Sequence, residues 1–566
     1  MSTILFSDLH IFANPTILLA ATVSIVVVVH LSAWLFDSKG LHRVPGPPLA
    51  KLSSLWYAWI GRTGRINKII LEQHQKYGTS RHIAFDISLR KLTDVATHVG
   101  KVVRITPNEV SIADADAFKA IYGFGSKALK SDFYDALVQF GGTPSSFLTR
   151  SREDHARKRK FMAHGLSLRS ILELEPTISK YQQQVVGNWD RMCLDAKAGK
   201  GGRIGAQTWT ARDGRVWFDS MPWLNFMAFD VIGDLSFGKG FGMTASGTDI
   251  VRVSTDQKAV IKSFGSEQMQ FEEVEIPVVK TILDRSEFTT ASAMMPAWIR
   301  PIVRHLIPGG SKAMESFGTL VVTALAKRLS ASPVKVDLLS RMIEVKDDGG
   351  KPMNRQELSA EATTLIIAGS DTTANSVCAM IYYLTRDQKR QSILQQELDD
   401  VLGTPDASES FDGHDGLYEK VKHLPYLEAV VNEGLRIYST IGVGLPRVVP
   451  EGGLTIAGYT FAEGTVVSVP NYALHRDTSV WGPDVESFNP ERWFVEDKTA
   501  MLNAFAPFSI GPRACVGRNL ALTELTTTIA TLLHRYHFVL ERPDQELDIY
   551  EGLIRKPVSS IGKART

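Results

Sequence analysis

Apolar and polar residues divide this chain into one unbroken apolar run and a long body of mixed, mostly helical patterning. From Thr16 to Phe36 no charged residue occurs, and Ile25-Val-Val-Val-Val29 lies at the centre of the run. A helix rising about 1.5 Å per residue over that stretch matches a hydrocarbon core of roughly 30 Å. A cleaved signal peptide would carry a basic leader and a shorter apolar stretch, whereas residues 1–15 hold only Asp8 and His10 as ionisable side chains. The pattern therefore predicts a single membrane-spanning helix over 16–36. Lys39, Arg43, Lys51, Arg62, Arg65 and Lys68 follow it, so the positive-inside rule puts residues 1–15 in the lumen and the body in the cytosol. Pro45-Gly46-Pro47-Pro48 cannot continue a helix, which predicts a stiff, extended hinge over 37–52.

In the body, 53–566, long amphipathic patterns dominate. Strand-like runs are short: Val102–Ile105, Leu454–Ile456 and Val466–Val469. The expected class is mainly α with a smaller β part. Three polar stretches, 197–214, 346–352 and 403–416, read as surface loops, and none is long enough to mark a second domain. A long helical pattern from Met353 to Arg386 is interrupted at its centre by Ala368-Gly369-Ser370-Asp371-Thr372-Thr373. The apolar residues from Ala514 to Leu522 predict another helix, starting at Cys515.

Composition adds two exclusions. A formal charge of +2 gives no reason to expect nucleic acid. The cysteines Cys193, Cys378 and Cys515 lie far apart and form no disulfide framework, which fits a reducing compartment. The dinucleotide fingerprint G-x-G-x-x-G fails, because Gly123-Phe-Gly125 is followed by Ser126-Lys127-Ala128. The chain is therefore not expected to bind NAD(P)H itself.

The strongest chemical signal is Phe508-Ser-Ile-Gly511-Pro-Arg513-Ala-Cys515-Val-Gly517. A cysteine ligates metal only as thiolate, which needs surroundings that stabilise negative charge. Gly511 and Gly517 let backbone N–H groups approach the sulfur, Arg513 brings a cation, and a following helix would offer its N-terminal dipole. In the Ala368–Thr373 segment, Thr372 stands four residues after Ala368. Its hydroxyl can bond back to that carbonyl and loosen the helix locally, beside the carboxylate of Asp371. Glu433 and Arg436, three apart in an apolar helical stretch, share one face.

The loop F-x-x-G-x-R-x-C-x-G resembles the haem-binding loop of cytochrome P-450 enzymes. The resemblance extends to A-G-x-D-T-T, to E-x-x-R at Glu433 and Arg436, and to P-E-R-W at Arg492. It implies the cytochrome P-450 fold, preceded here by the transmembrane helix, and haem b (heme b, iron protoporphyrin IX) with Cys515 as axial thiolate. It also implies that Phe508, Gly511 and Gly517 shape the haem loop, and that Asp371 and Thr372 deliver protons for heterolytic O–O cleavage. Glu433, Arg436 and Arg492 would form a buried triad bracing that loop. Arg513, Arg447 and Arg159 would face the haem propionates, although His155 stands where many members have tryptophan in W-x-x-x-R. Expected partners are O2, a small organic substrate, NADPH-cytochrome P-450 reductase and cytochrome b5, at the endoplasmic reticulum membrane with the catalytic domain cytosolic.

Finer likeness is to fungal benzoate para-hydroxylases. It rests on Lys130-Ser-Asp-Phe-Tyr-Asp135, Ala228–Phe237, Gly444-Leu-Pro-Arg447, Gly552-Leu-Ile-Arg-Lys-Pro557 and His155. It points to small aromatic acids, with Phe133, Tyr134 and Ala368 as substrate contacts and the Tyr134 hydroxyl as a partner for a carboxylate. The likeness thins at 197–214 and 252–300, which keeps open a tailoring monooxygenase of secondary metabolism acting on a polyketide, terpenoid or other aromatic. An isomerase or dehydratase on the same fold, or a silent haem protein, fits less well with an intact Asp371–Thr372 pair. Residues 79–100 separate a Lys-Tyr-Gly at 76–78 from the strand at 101–105, where related enzymes read straight on. They read as an insertion or a retained intron, for which a GGT codon at Gly78 and GTA at Val99 would supply the GT and AG boundaries.

Overall fold

The computed structural model describes residues 35–77, 101–138, 142–256, 272–306, 308–330, 337–405 and 416–558, with isolated positions besides. The apolar run 16–36, apart from its end and scattered helical positions, and the segment 79–100 lie outside the described residues. Among the described residues no helix is long and apolar enough to cross a membrane.

Residues 37–52 do not form a free hinge. Leu41 and Val44 are buried, and the Arg104 N–H donates to Pro45 O at 2.7 Å. A Cβ on Gly46 would stand 2.3 Å from Arg104 O, so glycine is what lets the segment lie flat on the body. Pro48 then opens the short helix Pro48–Leu52, the first-turn position where a missing N–H is harmless.

The principal sheet contains strands β1 (Val102–Arg104), β2 (Glu109–Ile112) and β3 (Leu129–Lys130). After a 3-10 turn over Asp132–Leu137 come helices α1 (Arg152–Gly165) and α2 (Glu175–Lys197). The stretch expected as a loop at 197–214 folds instead as most of a three-stranded meander. Its strands are β4 (Gly202–Ile204), β5 (Gln207–Arg212) and β6 (Arg215–Phe218). Trp209 sits opposite Phe218, both buried, and Asp213-Gly214 makes the turn with both residues at positive φ. That dipeptide favours a two-residue hairpin.

Four long helices follow before the site is complete: α3 (Met221–Phe237), α4 (Val278–Ala293), α5 (Pro308–Ser330) and α6 (Arg355–Arg386). Helix α6 starts at a capping box, with Asn354 accepting from the Glu357 N–H and Glu357 reaching back. It runs unbroken through Ala368–Thr373. Next come α7 (Pro425–Tyr438), β7 (Arg447–Val448), β8 (Val466–Ser468), α8 (Arg518–Arg535) and the hairpin β9 (Ile549–Glu551) with β10 (Arg555–Pro557). Leu454–Ile456 pairs with Tyr459–Phe461 in a separate hairpin.

The sheet order is β1-β2-β8-β7-β3, with only β2 and β8 parallel. A helical core joins α2, α3, α6 and α8, and a second core lies around the sheet. Helices α3 and α6 approach closely because Gly369 has no side chain; a Cβ there would lie 2.8 Å from Ile232. Gly369 therefore serves helix packing, while Ala368 faces the other way.

Candidate functional site

Cys515 combines two properties that usually exclude one another. It is solvent-accessible, yet protein surrounds it closely enough that burial raises its thiol pKa. It therefore lines an interior surface. Against burial act a hydrogen bond from the Gly517 N–H and the charges of Arg159 and Arg518. The Cys515 N–H donates to Phe508 O at 2.8 Å, closing the loop on itself. Helix α8 begins at Arg518 behind an N-cap Gly517, so the cysteine precedes the helix rather than starting it. Gly511 has φ +71°, and a Cβ would lie 2.2 Å from Tyr122 O. Its role is a tight turn under a neighbouring helix, not an N–H aimed at sulfur.

Ala368 is exposed midway along α6 although Ile366, Ser370 and Asp371 beside it are buried, so it too faces inner free surface. Thr372 Oγ1 donates to Ala368 O at 2.6 Å, the back-bond expected from the spacing. Asp371 is buried, and Lys556 Nζ on β10 approaches its Oδ2 to 2.7 Å. The contact is ionic and lies off hydrogen-bond direction, since Oδ2 has no directed donor. Nothing local in the sequence joins positions 371 and 556.

A cluster of buried and half-buried cations lies near Cys515. In the pairing of β3 with β7, Lys130 stands directly opposite Arg447, a like-charge pair that is destabilising unless an anion joins it. Burial, then Arg447 and Arg513, holds the Lys130 amine well below its ordinary pKa. Burial and Arg447 bring Arg513 down to about 10. Arg513 is held by Thr149 O at 2.8 Å and Ser151 O at 3.0 Å. Arg159 donates to Ala514 O. His155, one turn before Arg159, is pushed down to about 3 by burial and then by Arg513, Lys130 and Arg159, so it is neutral at physiological pH. Lys130 was not singled out from the sequence. Its signal is the cross-strand position, which only pairing reveals.

Tyr134 is tied into the cation cluster. Its hydroxyl accepts from Arg447 Nη1 at 2.7 Å, Lys130 Nζ lies 4.2 Å above its ring, and Phe133 packs edge-on against it. Both aromatics are buried, so the Tyr134 hydroxyl already has a cationic partner.

Glu433, Arg436 and Arg492 come together as expected. Arg436 Nε and Nη2 each donate to Glu433 at 2.8 Å, and Arg492 Nε donates at 3.0 Å. Trp493 Nε1 and the Asn489 N–H add donors at 3.2 and 2.9 Å. Arg436 Nη1 also donates to His475 O at 2.9 Å, and His475 Nε2 accepts from the Ala506 N–H at 3.3 Å. That histidine, missed in the sequence, links the triad to the strand of chain entering the Cys515 loop.

A family model described as Cytochrome P450 matches residues 77–561. This chain belongs to the cytochrome P-450 family. A protein named benzoate 4-monooxygenase from Aspergillus niger is 35% identical over 541 residues, covering 93% of each chain. Proteins named cytochrome P450 monooxygenase from Penicillium roqueforti and Emericella nidulans are 31% and 28% identical, over 88% and 89% of this chain and 90% of each relative. The chain is accordingly a haem-thiolate monooxygenase that uses O2 and electrons from a redox partner.

Membership implies a cysteine-ligated haem b. The residues fit one: an accessible cysteine on an interior wall, a methyl-sized side chain on α6 facing free surface, and two buried cations, Lys130 and Arg447, that make no salt bridge among the described residues. Lys130 and Arg447, face to face across β3 and β7, call for the anionic propionates that haem carries.

Proposed function

We propose that this monooxygenase hydroxylates a small aromatic acid of the benzoate type, with para oxidation preferred. The supporting observation is the 35% identity, across 93% of both chains, to the protein named benzoate 4-monooxygenase. Cys515 holds the haem iron, and Lys130, Arg159, Arg447 and Arg513 hold its propionates. The haem, when bound, supplies the activation of dioxygen.

The chain's own residues manage protons and position. Thr372 Oγ1 donates its one hydrogen to Ala368 O, which leaves the oxygen lone pairs free to accept a hydrogen bond at the inner surface and so to hold a proton donor there. Lys556 fixes the Asp371 carboxylate from β10. Glu433, Arg436 and Arg492 brace the Cys515 loop and do no chemistry. NADPH-cytochrome P-450 reductase supplies electrons, cytochrome b5 assists, and the apolar run 16–36 anchors the protein in the endoplasmic reticulum membrane with the catalytic body in the cytosol.

Titrating benzoate into the purified holoenzyme and following the Soret band tests the substrate class. A shift at submillimolar ligand and para-hydroxybenzoate as product are expected. Silence at millimolar benzoate, with a shift by larger polyketide or terpenoid compounds, would overturn it. That second reading has its own support in the relatives named only as cytochrome P450 monooxygenases at 31% and 28% identity.

A further inference from the structure

One buried cation is left over by the arrangement just described. Arg285 projects from α4 and is 7% exposed. Its guanidinium has a single long hydrogen bond, Nη2 to Leu137 O at 3.5 Å, and its Nε has no partner at all. The Phe317 ring of α5 lies 5.7 Å from its central carbon. No ion pair holds it among the described residues; the charge of Asp371 acts on it from a distance, and that carboxylate is already in contact with Lys556.

A guanidinium buried without a contacting counter-ion is expensive in a low dielectric, and an unsatisfied Nε adds to the expense. Such a group persists where a ligand completes it. The surroundings say which kind. Arg285 lies between the end of the Asp132–Leu137 turn, whose Leu137 O it bonds, and the Phe317 ring of α5, within range of the Asp371 charge on α6. Asp371 belongs to the acid–alcohol pair, so an anion held by Arg285 lies within the electrostatic reach of that pair.

We propose that Arg285 anchors the carboxylate of the aromatic acid, an assignment that rests on the benzoate-type reading above. Nε and one Nη match the two carboxylate oxygens as a fork, a geometry that lysine cannot reproduce. A rigid aromatic acid held at its carboxylate has its para carbon at the opposite end of the ring, so one cation at one wall fixes which carbon is offered for oxidation. Tyr134, the carboxylate partner expected from the sequence, is taken by Arg447, and Arg285 fills that role instead.

The test compares full-length, haem-loaded wild type with Arg285→Met and Arg285→Lys, titrating benzoate and its neutral methyl ester by Soret shift. Losing charge-assisted hydrogen bonds should weaken benzoate binding about ten- to hundredfold in Arg285→Met, with methyl benzoate bound as well as by wild type. Arg285→Lys should fall between and lose regiochemical purity. Arg285→Gln serves if Arg285→Met does not load haem. Benzoate bound equally by wild type and Arg285→Met would overturn the anchor and leave the substrate class standing. A wild type that ignores benzoate would overturn the substrate class, and the anchor with it.

Discussion

Replacing Glu433 by glutamine removes a carboxylate that five donors share. Arg436 and Glu433 are both 0% exposed, while Arg492 is 7% exposed at its side chain and keeps a second carboxylate, Asp484, at 2.9 Å. The loss therefore falls on Arg436, whose remaining acceptors are the carbonyls of His475, Val485 and Ser487. Breaking a buried pair by removing one partner costs about 3–5 kcal/mol, a large part of a total stability of about 5–15 kcal/mol. Asp484→Asn is the internal control. Its carboxylate is 41% exposed, so solvent screening limits the cost to about 1 kcal/mol or less. Urea unfolding of each holoenzyme, followed by far-ultraviolet circular dichroism and by the Soret band, measures both. Turnover is counted per bound haem. Because the triad reaches the Cys515 loop through His475 and Ala506, Glu433→Gln should shed haem early in the transition and keep near-normal turnover per haem retained. Equal costs for the two variants, or a collapse of per-haem turnover at full stability, would refute the bracing role.

Three further outcomes follow from the site. Thr372→Ala should keep its haem and still consume NADPH with added reductase, but release peroxide. Product formation should fall by up to about 10²–10⁴-fold, the range of a lost acid–base group; unchanged coupling would contradict the role. Lys556→Met removes the cation on Asp371, and product per NADPH should drop with a changed solvent isotope effect while haem content holds; an unaltered isotope effect would argue that Lys556 only packs. Glu361, buried and bonded to Ser146 Oγ at 2.8 Å, is raised by burial from 4.5 to about 7. The folded state thus binds a proton that the unfolded state releases, so this group makes stability fall as pH rises from about 4.5 to 7 and adds nothing further above that. Glu361→Gln should remove up to about 3 kcal/mol of that decline, read as a smaller difference between melts at pH 5 and pH 8 than wild type shows.

The sequence was most legible where function is contiguous. The Cys515 loop, the Ala368–Thr373 segment and the Glu433–Arg436 pair each sit within a few residues, and local spacing alone places their side chains. Three kinds of feature escaped. Lys130 meets Arg447, Lys556 meets Asp371, and Arg285 reaches Leu137 only after the chain has folded, and no local pattern connects such distant positions. The meander at 202–218 was hidden by its charged and glycine-rich composition, although Asp213-Gly214 followed by Val216 and Phe218 carries the hairpin signal. The start of α8 was misjudged because apolar character begins at Ala514, whereas Gly517 is the cap. In each case the pairing partner or the backbone turn, not the residue type, decided the outcome.

The central claim is that Cys515 is the thiolate ligand of the haem. Its most direct measurement is the reduced carbon-monoxide spectrum of the full-length protein beside that of Cys515→Ala. Wild type should show the red-shifted Soret band that thiolate ligation produces, and Cys515→Ala should lose both that band and oxygenase turnover. A Cys515→Ala protein that kept the band and the turnover would contradict the account.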